Sequence, residues 1–381
     1  MDGNDTKASQ SNSISFGVIM AGGHGERLWP LSRSTRPKQL LKLLDHDESL
    51  LGAVIRRISP LIPEDRLYIV TSRSLQPIIR EGVSELPPEN IMAEPHKRNT
   101  SACIALAAAR LMALYPGRED DLCMAVLTAD HRIADDDAFR RAVAKALETA
   151  RKHDKLVLIG IRPTRPEASY GYVEVSARTS DESAYTQALP VIRFREKPSQ
   201  EVAEEFIATE RFFWNSGMFF WKLSTFLREL DEAMPTLSLA TREMAECFRK
   251  GNNVSSERLA RIFEGLGDIS IDYGLMEKSS NVMLIPAQFP WEDLGSWDAL
   301  ERTSHKDRHG NVLRGNPILL DTHDSLVYNA DDSGNLTIAV LGMREVTVVG
   351  TGDAVLVCPT SRAQEVRKIV RILKETHPKH I

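Results

Sequence analysis

The sequence predicts an α/β fold on a mainly parallel, mixed sheet, followed by a small β domain that closes in one C-terminal helix. Three observations predict it. From Ser15 to about Trp297, short apolar runs of strand character alternate with helical stretches, the signature of βαβ units. Beyond Trp297 the helical stretches give way to short β-rich segments separated by Gly and Asp turn signals. The chain has 381 residues, 42% of them hydrophobic, which is ample for a large core and too long for one ordinary domain.

The elements follow in order. Phe16–Met20 reads as a strand, Ser49–Ile58 as a helix, Leu67–Thr71 as a strand and Gln76–Val83 as a helix. Asn90–Ala93 is strand-like, the Ala-rich Ser101–Leu114 helical, Cys123–Leu127 a strand, Asp137–His153 a helix and Leu156–Ile161 a strand. Gly171–Val175 and Val191–Phe194 are strand-like. After the polar connector Glu301–Gly310 come Ile318–Leu320, Ser325–Tyr328, Thr337–Leu341, Glu345–Val349 and Ala354–Val357. A helix over Arg362–Glu375 carries Val366, Ile369, Val370 and Leu373 at helical spacing. The expected division is a flexible tail over 1–14, a catalytic domain over 15–304 and a C-terminal β domain over 305–381.

Composition narrows the function. With 48 basic and 53 acidic residues the net charge is -5, and no basic field exists to neutralise a nucleic-acid backbone. Cys103, Cys123, Cys247 and Cys358 form no CxxC pair, so neither a disulfide framework nor a zinc site is expected and a reducing cytoplasm is. No apolar run is long enough for a membrane span, and the polar N-terminus lacks a signal-peptide core.

The most informative segment, Met20–Gln39, follows the first strand. Gly22, Gly23 and Gly25 remove side chains where backbone N–H groups can face phosphate oxygens, and Arg27, Arg33, Arg36 and Lys38 add cations. The alternatives are a tight βα connection and a solvated basic loop. Neither the Walker pattern nor the dinucleotide fingerprint is met, because Leu28 stands where the latter needs its third Gly. Glu94, in Glu94-Pro95-His96-Lys97-Arg98-Asn99-Thr100, sits at a strand end, where a carboxylate can accept both guanine N1–H and N2–H₂. Equally, Glu94 could be a helix-entry charge and Asn99 or Thr100 an N-cap. Asp130, after Cys123–Leu127, suits Mg²⁺, which takes one or two carboxylates plus phosphate oxygens. His131 reads as structural, with no Cys/His cluster around it.

Gly22-Gly23-His24-Gly25-Glu26-Arg27-Leu28-Trp29-Pro30-Leu31-Ser32, followed by Pro37-Lys38-Gln39, resembles the signature of the sugar-phosphate nucleotidyltransferases. The resemblance runs through about residues 16–300. It implies a Rossmann-like nucleotidyltransferase domain, then a short left-handed β-helix used in homodimer contacts. The implied reaction is transfer of GMP from GTP to mannose 1-phosphate, forming GDP-mannose and pyrophosphate. Mannoheptose or glucose 1-phosphate are the alternative acceptors, and a silent GDP-sugar-binding regulator is the alternative of another class. By the resemblance, Ala21, Gly22, Gly23, Gly25, Glu94, Arg98, Asn99 and Thr100 bind the nucleotide, while Arg27, Lys38, Asp130 and Lys197 are catalytic. Gly171, Glu196, Lys197 and Asn215 take the sugar phosphate. Asp130 and Asp293, in Ala-Asp-His and Trp-x-Asp-Leu-Gly-x-Trp motifs, hold Mg²⁺ or another divalent cation. Thr128 departs from the Pro usual before Ala-Asp-His. Asp272 matches a further family block with a role left open. Ending at Ile381, the chain is expected to lack the isomerase domain of some relatives.

Overall fold

The computed structural model describes residues 13–23, 25–43, 48–251, 256–331 and 333–381. His24 of the glycine-rich loop and the tail through residue 12 lie outside them. Ten strands precede residue 290: β1 (Ile14–Met20), β2 (Leu67–Ser72), β3 (Ile91–Glu94), β4 (Leu122–Thr128), the short β5 (His131–Ile133), β6 (Leu156–Ile161), β7 (Tyr172–Val175), β8 (Leu189–Arg195), β9 (Phe212–Lys222) and β10 (Val282–Pro286). All but β5 form one sheet in the order β3-β2-β1-β4-β9-β6-β10-β8-β7. β8 and β9 run against the other strands.

Alternation along the strands feeds two apolar layers. Phe16, Val18, Met124, Val126 and Leu158 point to one side, against α3 (Asn99–Leu114), α6 (Leu223–Ala233), α7 (Pro235–Arg249) and α8 (Glu257–Glu264). Ile19, Ala125, Leu127 and Ile159 point to the other, against α1 (Leu50–Ile58), α2 (Gln76–Gly82) and α4 (Asp136–His153). The short helix α5 (Gln200–Ala208) joins this second layer through Ala203 and Phe206. Helices on both faces explain why the strands read as continuous apolar runs. Side-chain caps start several helices: Ser49 accepts from Gly52 N at 3.0 Å and Asp135 from Ala138 N at 2.8 Å.

The chain then forms β11 (Trp291–Asp293), paired antiparallel with β5, and α9 (Trp297–Thr303). Beyond it, β12 (Val312–Arg314), β14 (Leu326–Asn329) and β16 (Val346–Gly350) stack in parallel, with β17 (Val355–Pro359) antiparallel at the edge. β13 (Ile318–Leu320) and β15 (Ala339–Leu341) form a second parallel pair, so successive turns of chain visit the two sheets alternately, as in a β-helix. Asn311 ties adjacent turns together by donating to Thr322 O at 2.9 Å and accepting from Ser325 N at 3.1 Å. The expected terminal helix divides into a 3₁₀ turn, Thr360–Glu365, and α10 (Val366–Thr376).

This C-terminal unit packs on the glycine-rich loop. Leu28, Trp29 and Leu31 share a buried cluster with Val312, Leu326, Val349, Val366 and Val370. Arg33 donates to His380 O at 2.6 Å and pairs with Asp353 at 2.8 Å. No helix among the described residues is long and apolar enough to cross a membrane.

Candidate active site

The site lies where parallel strands of the sheet end. β1 delivers the loop, which turns at Gly25 with φ +70°. A Cβ there would lie 2.5 Å from Lys38 Cβ, so only glycine both adopts this backbone and lets it rest on Lys38. Gln39 donates to Gly23 O at 2.7 Å, and Ser32 to Gly25 O at 2.6 Å, fixing the loop from the following segment. Ala21 is buried with its N–H on Val70 O and its C=O accepting from Thr71. Both backbone groups of this residue, expected to bind the nucleotide, are thus engaged within the fold.

Gly23, Gly25, Arg27 and Lys38 line a cavity of about 690 Å³ together with Lys97, Asp130, Lys197, Asp293 and Arg367. Two of the four loop cations expected there are elsewhere. Arg33 is bound to the C-terminal unit, and Arg36 is exposed outside the cavity wall.

Lys38 is 4% exposed, with its Nζ 2.8 Å from Asp130 Oδ2 and 3.3 Å from Asp293 Oδ1. Burial lowers the ammonium's pKa, but the two carboxylates outweigh it and hold the group above its ordinary value. Asp130 lies below the usual carboxylate range, since Lys38 and His131 overcome the effect of burial. The β5–β11 ribbon brings the two aspartates together by placing His131 opposite Asp293. Asp130, His131 and Asp293 each present a ligand atom within 4.8 Å of the others. His131 is thus nearer the aspartates than its reading as a structural residue suggested. Its Nδ1 accepts from Trp291 Nε1 at 3.1 Å and lies 2.6 Å from Thr128 Oγ1. An indole N–H only donates, so the neutral ring carries its proton on Nε2, 3.9 Å from Asp130 Oδ1. The donor set that suits a hard cation is therefore the carboxylate pair.

Glu94, at the end of β3, has a buried Oε1 with no hydrogen-bond partner among the described residues. Burial pushes its carboxyl up to about 7, against the attraction of Lys97. Arg98 turns away: its guanidinium donates to Phe263 O and Glu264 O, both at 3.1 Å, satisfying carbonyls at the end of α8. This residue, expected to bind the nucleotide, is thus engaged with α8. Asn99 takes φ +62° as α3 begins, and its side chain accepts from Thr100 N at 2.9 Å. Thr100 accepts from Ile271 N at 2.9 Å and lines a second cavity.

The second cavity, about 300 Å³, is lined by Gly171, Glu196, Asn215 and Asp272 and shares Ser169, Lys197 and Asp293 with the first. Lys197, at φ +45°, contacts Glu196 Oε1 at 2.7 Å, while Glu196 Oε2 is buried without a hydrogen-bond partner among the described residues. Burial and nearby Asp272 raise the Glu196 carboxyl. Asn215 donates to Asp272 Oδ1 at 2.8 Å, which gives Asp272 a place in the cavity wall. A Cβ on Gly171 would fall 2.3 Å from Glu196 Oε2. Reading the sequence missed Lys97, Ser169 and Arg367. The first lay within a quoted motif, while the other two carry no local signal.

A family model described as Nucleotidyl transferase matches residues 16–310, and one described as MannoseP isomerase/GMP-like beta-helix domain matches 315–373. The mannose-1-phosphate guanylyltransferase of Escherichia coli K12 is 38% identical over 94% of this chain and 73% of its own length. The alginate biosynthesis protein AlgA of Pseudomonas aeruginosa is 36% identical over 93% of this chain and 71% of its own. A crystal structure from Thermus thermophilus, described as a mannose-1-phosphate geranyltransferase, superposes with a TM-score of 0.80 at 36% identity, covering 94% of this chain and 99% of that one. The glycine-rich loop, the paired aspartates and these likenesses agree, and the chain belongs to the nucleotidyl transferase family.

Proposed function

We propose that this chain transfers GMP from GTP to mannose 1-phosphate, forming GDP-mannose and releasing pyrophosphate. The observation that carries the reading is the buried Lys38 between Asp130 and Asp293, at the wall of a cavity that shares Ser169, Lys197 and Asp293 with a second, smaller one. The names of the relatives point to mannose 1-phosphate as the acceptor. The sugar phosphate oxygen forms a bond to the α-phosphorus while the bond to the β-phosphate oxygen breaks, and pyrophosphate leaves with the electron pair. A phosphate monoester is already an anionic nucleophile, so catalysis rests on positioning and charge neutralisation. Arg27 and Lys38 oppose charge on the departing pyrophosphate. Lys197 holds the attacking phosphate, with Gly171, Glu196 and Asn215 around the sugar ring.

Glu94 accepts from guanine N1–H and N2–H₂, and its unpartnered oxygen supports that role. Gly22, Gly23, Gly25, Asn99 and Thr100 frame the nucleotide. Two hard carboxylate donors in a phosphate cavity fit Mg²⁺, which Asp130 and Asp293 would hold. When bound, the ion supplies charge neutralisation between two anionic substrates.

The exposed Ile318, Leu320 and Leu341, on one face of β13 and β15, support a homodimer built through the C-terminal unit, and four unpaired cysteines support a cytoplasmic setting. The test is pyrophosphate release with Mg²⁺ and mannose 1-phosphate, comparing GTP with ATP, UTP and dTTP. Turnover with GTP above the others is expected. No turnover with any nucleotide, while GDP-mannose still binds, would overturn the reading in favour of a silent sensor.

A further inference from the structure

We infer that Arg367, from the C-terminal unit, binds the β- and γ-phosphates of the nucleotide and the pyrophosphate they become. Arg367 stands in the first turn of α10 and lines the phosphate cavity beside Gly23, Gly25, Arg27 and Lys38, but not the sugar-side cavity. Its position is set by its helix. Val366 and Val370 are buried against Leu28, Trp29 and Leu31 of the loop. Lys374, two turns along the same stripe as Arg367, pairs with Glu26 at 2.5 Å. Just before α10, Gln364 accepts from Arg27 at 2.8 Å and donates to Ser296 Oγ at 2.7 Å, joining the loop to the segment after Asp293.

The charges around Arg367 complete the argument. Arg362 and Lys368 each pair with Glu365 at 2.8 Å, and Lys374 with Glu26. Within the cavity, Lys38 is shared by two aspartates and Lys197 is held by Glu196. Arg367 has no carboxylate partner among the described residues, and a guanidinium fork matches phosphate oxygens in pairs. A cation left unpaired at a phosphate cavity is available to an anion. The identity of that anion rests on the nucleotidyl-transfer reading.

The test uses the full chain, with inorganic pyrophosphate as the calorimetric probe and turnover measured in both directions. Arg367→Gln should weaken pyrophosphate binding at least tenfold and raise KM for pyrophosphate in the reverse reaction by a similar factor. KM for GDP-mannose should stay within twofold, and Arg367→Lys should recover part of the loss. Lys368→Gln, which removes a paired charge from the same helix, should leave both values unchanged. Unchanged pyrophosphate binding in Arg367→Gln, or an equal rise in KM for GDP-mannose, would overturn the inference. Pyrophosphate binding that depends on Arg367 in a protein with no turnover would support the inference while removing the proposed reaction.

Discussion

Glu94→Gln should separate stability from function. Moving a carboxyl from an ordinary 4.5 to about 7 corresponds to roughly 3 kcal/mol between its protonated and ionised states. Because the side chain is only partly buried, about 1–2 kcal/mol of that should appear as stability. The sign follows from proton uptake. Between pH 4.5 and about 7 the folded chain holds a proton that the unfolded chain has released, so stability falls as pH rises through that window. The amide avoids this cost, so Glu94→Gln should be more stable than the parent by about 1–2 kcal/mol at pH 8, shrinking to about a quarter of that at pH 5. Its kcat/KM for GTP should fall about 100-fold or more, because an amide offers one acceptor and turns a donor toward guanine. Denaturant unfolding at several pH values, with nucleotide competition at pH 8, gives both readouts. Equal stability at pH 8 would refute the energetic argument, and an intact GTP preference would refute base recognition by Glu94.

Other perturbations address the rest of the site. Lys38→Ala and Asp130→Asn should each lower kcat by about 10²- to 10³-fold, with circular dichroism showing a retained fold. Chelation of divalent cations should abolish turnover and Mg²⁺ restore it; activity that persists in the chelator would remove the ion from the reaction. Gly171→Ala places a methyl 2.3 Å from Glu196 Oε2, so KM for the sugar phosphate should rise about tenfold while KM for GTP stays level. Gln364→Ala frees Arg27 from its amide partner and should lower kcat about tenfold with little change in unfolding midpoint, as steady-state kinetics and a melt would show.

How much was legible depended on how local each feature is. The glycine-rich loop and Lys38 lie within one short stretch, so their chemistry could be read from residue types alone. The Asp130–Asp293 pair needs a β-ladder between segments far apart in the chain, and only the family resemblance linked them. β9 escaped notice because both its faces are buried. Phe213, Phe219 and Trp221 enter one layer while Phe212, Trp214 and Phe220 enter the other, leaving no alternation to detect. Arg98 shows another limit, since an arginine that satisfies helix carbonyls reads in sequence like one that binds phosphate. Arg367 sits in an ordinary amphipathic helix, and only the packing of that helix on the loop brings it to the cavity.

The three-residue ribbon of β5 and β11 makes the aspartate pair intolerant of small changes in chain length. Its partners are Trp291 with Ile133, Glu292 with Arg132 and Asp293 with His131. Successive side chains leave a strand on opposite sides, so a one-residue slip would exchange Asp293 for Glu292 or Leu294. Glu292 is already bound by Arg165 at 2.7 Å and Arg302 at 2.8 Å, which holds the ribbon in its present frame. A single-residue insertion or deletion in either arm would therefore remove a carboxylate from the cavity wall as surely as a substitution, without altering one residue that lines it.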